Sequence, residues 1–185
     1  MWGAELRTGL ARLHRGFAGR AASAAVVLLL VSGLLAAGRR VADARGLAGG
    51  MIVTLSGDLG AGKTTFARGC LKALGWAGPV KSPSYPLVEH YPLSSLYFYH
   101  FDFYRFADPG EWETAGFADC FQRNTVCVIE WPERVGGLLP APDLALTFTY
   151  ADDASLSGRN LALAAHTEAG KRCLTAMTST GTGTP

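Results

Sequence analysis

The chain has 185 residues, enough for one ordinary domain and too few for a second sizeable core. Its formal charge of +2 hides an asymmetry: residues 1–50 carry seven Arg against Glu5 and Asp43, whereas residues 51–185 carry ten basic and thirteen acidic residues. That acidic balance argues against autonomous RNA binding, which needs a basic stripe, and Cys70, Cys120, Cys127 and Cys173 lack the spacing and the nearby His of a zinc site and fit buried, reduced thiols.

Residues 1–24 read as an N-terminal extension, expected to be disordered. Ala21–Ala37 is largely apolar and follows Arg7, Arg12, Arg15 and Arg20. The run admits a buried strand over Ala25–Val31 followed by a helix, with Ser32 as its N-cap and Leu34, Leu35, Gly38, Val41 and Ala42 facing inward. It also admits a signal peptide, a membrane anchor or an Arg-rich transit peptide, although it is short for a span and interrupted by Ser23, Ser32 and Gly33.

Met51–Leu55 is a β-rich run that leads into Gly57-Asp58-Leu59-Gly60-Ala61-Gly62-Lys63-Thr64, a complete Gly-x4-Gly-Lys-Ser/Thr pattern. Phe66, Cys70 and Leu74 then recur at helical spacing up to Gly75. Strand, glycine loop and helix start together aim backbone N–H groups at phosphate. The pattern predicts ATP with Mg2+: Lys63 on the β and γ phosphates, the Thr64 hydroxyl on the metal, and Thr65 assisting from the helix start.

Val80-Lys81-Ser82-Pro83-Ser84-Tyr85-Pro86 is a loop, either a plain connection or one whose hydroxyls, Ser82 and Ser84, respond to the γ-phosphate. A phosphate-binding loop of this kind needs a carboxylate at the end of a neighbouring strand, and two strands end in acids. Leu96–Phe101 runs into Asp102, and Thr125–Ile129 runs into Glu130. The second is the smoother buried strand, so Glu130 is the candidate metal ligand. Asp102 can position or activate the attacking water, with Arg105 paired to it or to phosphate; the competing reading is a structural Asp102–Arg105 ion pair. His100 reads as a structural group on an aromatic strand. Asp108, Pro109 and Glu111 read as N-cap, first helical residue and capping-box acid, which makes Glu111 and Glu113 helix starters. Leu144–Phe148 and Leu161–Leu163 form a C-terminal β portion, and a low-complexity tail follows.

In order and spacing, GDLGAGKTT, KSPSYPLVEHY, YHFDFYR, DPGEWETAG, VCVIEWPERV and LLPAPDL resemble the TsaE-type ATPases of tRNA threonylcarbamoyladenosine biosynthesis. The resemblance runs from about Val26 to Leu174. It implies a cytoplasmic protein that binds and hydrolyses ATP with Mg2+ and lets a TsaB and TsaD pair turn over, with tRNA contacted mostly through those partners and no stable membrane association. It further implies Lys63 and Thr64 as nucleotide and metal ligands, Glu130 as the second metal group and Asp102 as important for hydrolysis. Ser82, Ser84, Tyr85 and Trp131 also match family positions, and Ser82, Ser84 and Trp131 join the nucleotide set. This sequence departs from the family at Ser84, where Thr is frequent, at Pro86, and at the apolar Val31-Ser32-Gly33-Leu34, where the family is polar and cradles the base.

The expected fold is a three-layer α/β P-loop NTPase domain over residues 25–174, with a mostly parallel central sheet and a C-terminal β portion, and a disordered tail over 175–185. Two other functions use the same loop. A small-molecule kinase needs an acceptor pocket and a basic lid, and only Arg134 precedes the Gly-Gly-Leu-Leu-Pro loop. A nucleotide-gated binding module would bind ATP with negligible hydrolysis.

Overall fold

The computed structural model describes residues 23–43, 47, 49–151 and 158–178. In chain order the elements are β1 (Ser23–Leu30), α1 (Val31–Asp43), β2 (Met51–Gly57), α2 (Lys63–Ala73), β3 (Val88–Pro92), β4 (Tyr97–Asp102), α3 (Pro109–Thr114), β5 (Thr125–Glu130), β6 (Leu144–Tyr150), β7 (Gly158–Ala165) and α4 (Glu168–Thr178). Short 3-10 turns cover Phe117–Cys120, Pro132–Arg134 and Gly136–Leu138.

All seven strands join one mixed sheet in the order β1-β7-β6-β2-β5-β4-β3. The four middle strands, β6, β2, β5 and β4, are parallel neighbours. Because β7 is antiparallel to both β6 and β1, and β3 is antiparallel to β4, five strands point one way and two the other. Residues 51–55 and 125–130 are buried throughout, as expected of central strands covered on both faces. β6 instead alternates buried Leu144, Leu146 and Phe148 with more accessible residues.

The sheet separates two apolar clusters. On one face α1, α2 and α4 cover Val53, Leu55, Phe98, Val126 and Val128. On the other, Trp112 of α3 joins Phe117, Phe121, Phe101 and Phe103 over Ile52, Cys127 and Ile129. The second layer is therefore thin, built from a six-residue helix, turns and aromatic rings rather than from long helices.

The helices α1 and α2 cross where Gly38 meets Gly69. A Cβ on Gly38 would stand 2.2 Å from the Phe66 carbonyl oxygen, and one on Gly69 would stand 2.3 Å from that of Leu35. Only glycine allows this approach, which seats α1 against the helix that follows the glycine loop.

Residues 23–37 of the apolar run are divided between β1 and α1, and no helix among the described residues is long and apolar enough to cross a membrane. Val31 already belongs to α1, so Ser32 lies inside the first turn rather than at the N-cap. At the other end, residues 175–178 belong to α4 instead of the tail, because Cys173, Leu174 and Met177 bury an apolar stripe and the Thr167 hydroxyl accepts from Gly170 N at 3.2 Å. Of the extension expected over residues 1–24, Ser23 and Ala24 belong instead to β1, where they pair with Ala165 and Ala164 of β7; residues 1–22 and the tail from 179 lie outside the described residues.

Candidate functional site

The glycine loop leaves β2 at Gly57 and enters α2 at Lys63. Gly57, Gly60 and Gly62 all have positive φ, and Gly62 is the N-cap of α2 at φ 108° without a side-chain cap. The first-turn amides of α2 are thus left to an external acceptor, the arrangement that suits an anion. The loop tip is held from the β6–β7 edge: the Tyr150 hydroxyl donates to Leu59 O at 2.9 Å, and the Arg159 guanidinium stacks on the Tyr150 ring at 4.2 Å.

Lys63 is 4% exposed, and its ammonium folds back on the loop, donating to Gly57 O at 2.5 Å and Asp58 O at 2.9 Å. It also lies 3.9 Å from the centroid of the Trp131 ring. Trp131 adopts φ 60°, a left-handed conformation that a bulky residue rarely takes. In that geometry its amide donates to Leu55 O at 3.2 Å. Burial pushes the Lys63 pKa down from 10.5, against the opposing pull of Glu130, Asp102, Glu133 and Asp58.

Both strand-end acids point to the same face of the sheet. The register of β4 on β5 sets Asp102 beside Glu130, and side chains two apart share a face, so His100 lies there as well. The Thr64 hydroxyl donates to Glu130 Oε1 at 2.8 Å, and His100 Nε2 lies 2.8 Å from that same oxygen. Asp102 accepts from the Ser82 hydroxyl at Oδ2 and from Tyr104 N at Oδ1, the latter at 3.0 Å. Arg105 does not pair with Asp102; its guanidinium stacks 4.5 Å over the exposed ring of Tyr85.

The 80–87 loop is tied to this group at both ends. The Arg68 guanidinium donates to Val80 O at 3.0 and 3.2 Å, Leu87 N closes a turn on Pro83 O at 2.7 Å, and Asp102 N donates to Leu87 O at 3.0 Å. Pro86 sits inside that turn, and the positive φ of 64° follows at Leu87.

Lys63, Thr64, Ser82, Asp102, Glu130 and Trp131 therefore converge. Asp58, Leu59 and Gly60 form the exposed rim of the loop, whereas Ala61 is buried beneath it. Among the described residues, Thr65 and Ser84 make no side-chain hydrogen bond to the group. His100, read from sequence as a structural group, belongs to the site. The available signal was its spacing of two from Asp102, which on a strand means a shared face.

The family model described as "Threonylcarbamoyl adenosine biosynthesis protein TsaE" matches residues 30–161. The chain belongs to the TsaE family. It is 46% identical over 129 residues to the tRNA threonylcarbamoyladenosine biosynthesis protein TsaE of Haemophilus influenzae, covering 70% of this chain and 79% of that one. The protein of the same name from Bacillus subtilis is 38% identical over 104 residues, 56% of this chain and 65% of its own length. The crystal structure of Bacillus subtilis YdiB superimposes with a TM-score of 0.65 at 25% identity, covering 84% of this chain and 94% of that one. The matched span of this TsaE-family chain contains the glycine loop, both strand-end acids, His100 and Trp131.

Proposed function

We propose that the chain is an ATP-binding and ATP-hydrolysing accessory subunit required for threonylcarbamoyladenosine modification of tRNA, acting in the cytoplasm with a TsaB and TsaD type transferase pair. Family membership and the names of its relatives support the pathway. The observation that carries the biochemical reading is the meeting of Thr64 and Glu130 at 2.8 Å beside Lys63, at the uncapped start of α2. A P-loop NTPase uses that juxtaposition to hold nucleotide and magnesium together.

The donor set fits the group it would receive. Thr64 Oγ1 and Glu130 are hard oxygen ligands of the kind Mg2+ takes, and among the described residues both hydrogen bonds to the carboxylate fall on Oε1, leaving Oε2 free. Bound there, magnesium would neutralise charge developing on the phosphate oxygens. Lys63 would exchange its two carbonyl partners for phosphate oxygens, and the loop amides with the α2 start would hold the rest. Asp102, kept in place by Ser82 and Tyr104 N, would orient the attacking water and accept its proton. Trp131 would cover Lys63 and limit water around it.

The acidic balance of residues 51–185 supports tRNA contact mostly through partners. Phosphate release from ATP and Mg2+ should be measured with and without the TsaB and TsaD type proteins, alongside Lys63→Ala and Glu130→Ala. Partner-stimulated turnover that both substitutions abolish is the expected result. ATP binding without hydrolysis or partner effect would leave a nucleotide-gated binding module, and phosphate appearing on a small-molecule acceptor would make the chain a kinase.

A further inference from the structure

Among the described residues, His100 is a fully buried ionisable side chain of this face that the proposed mechanism leaves without a task. Its side chain is fully buried, Nε2 contacts Glu130 Oε1 at 2.8 Å, and Nδ1 has no hydrogen-bond partner. A histidine serving only to complete a buried polar network would be expected to use both nitrogens. This one is wedged behind Glu130 with a single contact. Phe98, two residues earlier on the same strand and the same face, is apolar and fully buried, so an apolar ring would suit the surroundings, and the polar ring serves the carboxylate alone.

We propose that His100 is a positioning residue: its Nε2–H donates to Glu130 Oε1, shares that oxygen with the Thr64 hydroxyl, and thereby presents Oε2 to a divalent cation. The proposal rests on the reading of Thr64 and Glu130 as metal ligands. Its geometric basis is the β4–β5 pairing, in which His100 stands opposite Val128 and Asp102 opposite Glu130, so the imidazole reaches Glu130 diagonally along one face. Two donors on one carboxylate oxygen fix both the torsion of the carboxylate and the choice of oxygen left for the ion. Outer-shell partners of this kind hold a ligand in its productive orientation, and their loss commonly weakens metal affinity about 10- to 100-fold.

The test uses the full chain with ADP and Mn2+, the latter followed by electron paramagnetic resonance, and ADP affinity measured separately in chelator. His100→Phe should weaken Mn2+ binding to the ADP-loaded protein at least about tenfold while changing metal-free ADP affinity by less than about threefold. His100→Gln, whose amide N–H can replace Nε2–H, should restore most of the Mn2+ affinity. Unchanged Mn2+ affinity in His100→Phe, with wild-type protein binding Mn2+ and ADP normally, overturns the positioning role and leaves the nucleotide site intact. Equal losses with and without metal also overturn it, because they show a general structural effect. Wild-type protein that binds no ADP-dependent Mn2+ overturns the nucleotide-site reading, and this proposal with it. If His100→Phe does not fold, the ring 15N spectrum of His100 in the wild-type protein decides: a proton on Nε2 is expected, and a proton confined to Nδ1 overturns the donor role.

Discussion

Lys63 shows how a single side chain can be bound to its own loop in one state and to a ligand in another. Its two carbonyl contacts and the Trp131 face replace water around an ammonium that burial disfavours. Removing it should cost charge-assisted contacts to phosphate that are worth about 2–3 kcal/mol, so Lys63→Ala should weaken ATP binding on the order of 100-fold in equilibrium dialysis. Asp102 is expected to behave differently, since it touches Ser82 and Tyr104 N rather than the loop amides. Asp102→Asn should lower phosphate release about 100-fold while leaving ATP affinity nearly unchanged, a split that single-turnover assays would resolve. At this scale the glycine loop, Thr64, Asp102 and Glu130 were legible, because motif and strand-end position are local properties. The Arg105–Tyr85 stack was not, since the sequence placed Arg105 three residues from an acid and nothing in it brought Tyr85 near.

Among the elements, α1 and α2 depend on each other through Gly38 and Gly69. Gly69→Ala would force a methyl group against the Leu35 carbonyl, which helix propensity alone would not reveal, since alanine is the better helix former. The expected outcome is destabilisation by about 1–3 kcal/mol in urea unfolding, reversing the usual sign of a Gly→Ala change in a helix. The join between β2 and α4 rests on Asp143, whose carboxylate accepts from Ile52 N at 2.8 Å and from the Thr167 hydroxyl at 2.6 Å. Asp143→Ala leaves the Ile52 amide without that acceptor and should cost about 1–3 kcal/mol in the same measurement. Neither α4 nor this join was foreseen. Glu168–Thr178 has a modest apolar stripe, and its helix becomes worth forming only when β6 and β7 supply a surface for it.

For the whole molecule, buried thiols set the response to alkali. Burial raises Cys127 to about 12 and Cys173 to about 11 from the ordinary 9.0, and pushes Cys70 up as well. The unfolded chain releases these protons near pH 9 while the folded chain keeps them, so the associated stability is complete below pH 9 and is lost as pH rises toward 11. Each such group contributes a slope of about 1.4 kcal/mol per pH unit in that window. Lys63 works in the opposite direction, because its lowered pKa makes the folded state gain relative stability up to 10.5, but it is one group against these thiols, and burial raises Cys120 and Tyr91 in the same sense as them. Melting temperature should therefore fall steadily between pH 9 and 11, and a flat profile would show that the thiols are reachable by solvent.

What the sequence determined by itself was whatever a short stretch of chain settles: the glycine loop, the two strands that end in acids, the Asp108 cap at α3 and the stop at Gly75. Those features follow from backbone freedom, side-chain period and capping, all of which act over a few residues. The tertiary structure decided which long-range neighbours meet. It brought Ser82 to Asp102 and His100 to Glu130, placed Trp131 over Lys63, and set Tyr150 and Arg159 against the loop tip. Strand order and register choose these pairs, and both are fixed by how the two faces of one sheet are buried rather than by any local pattern.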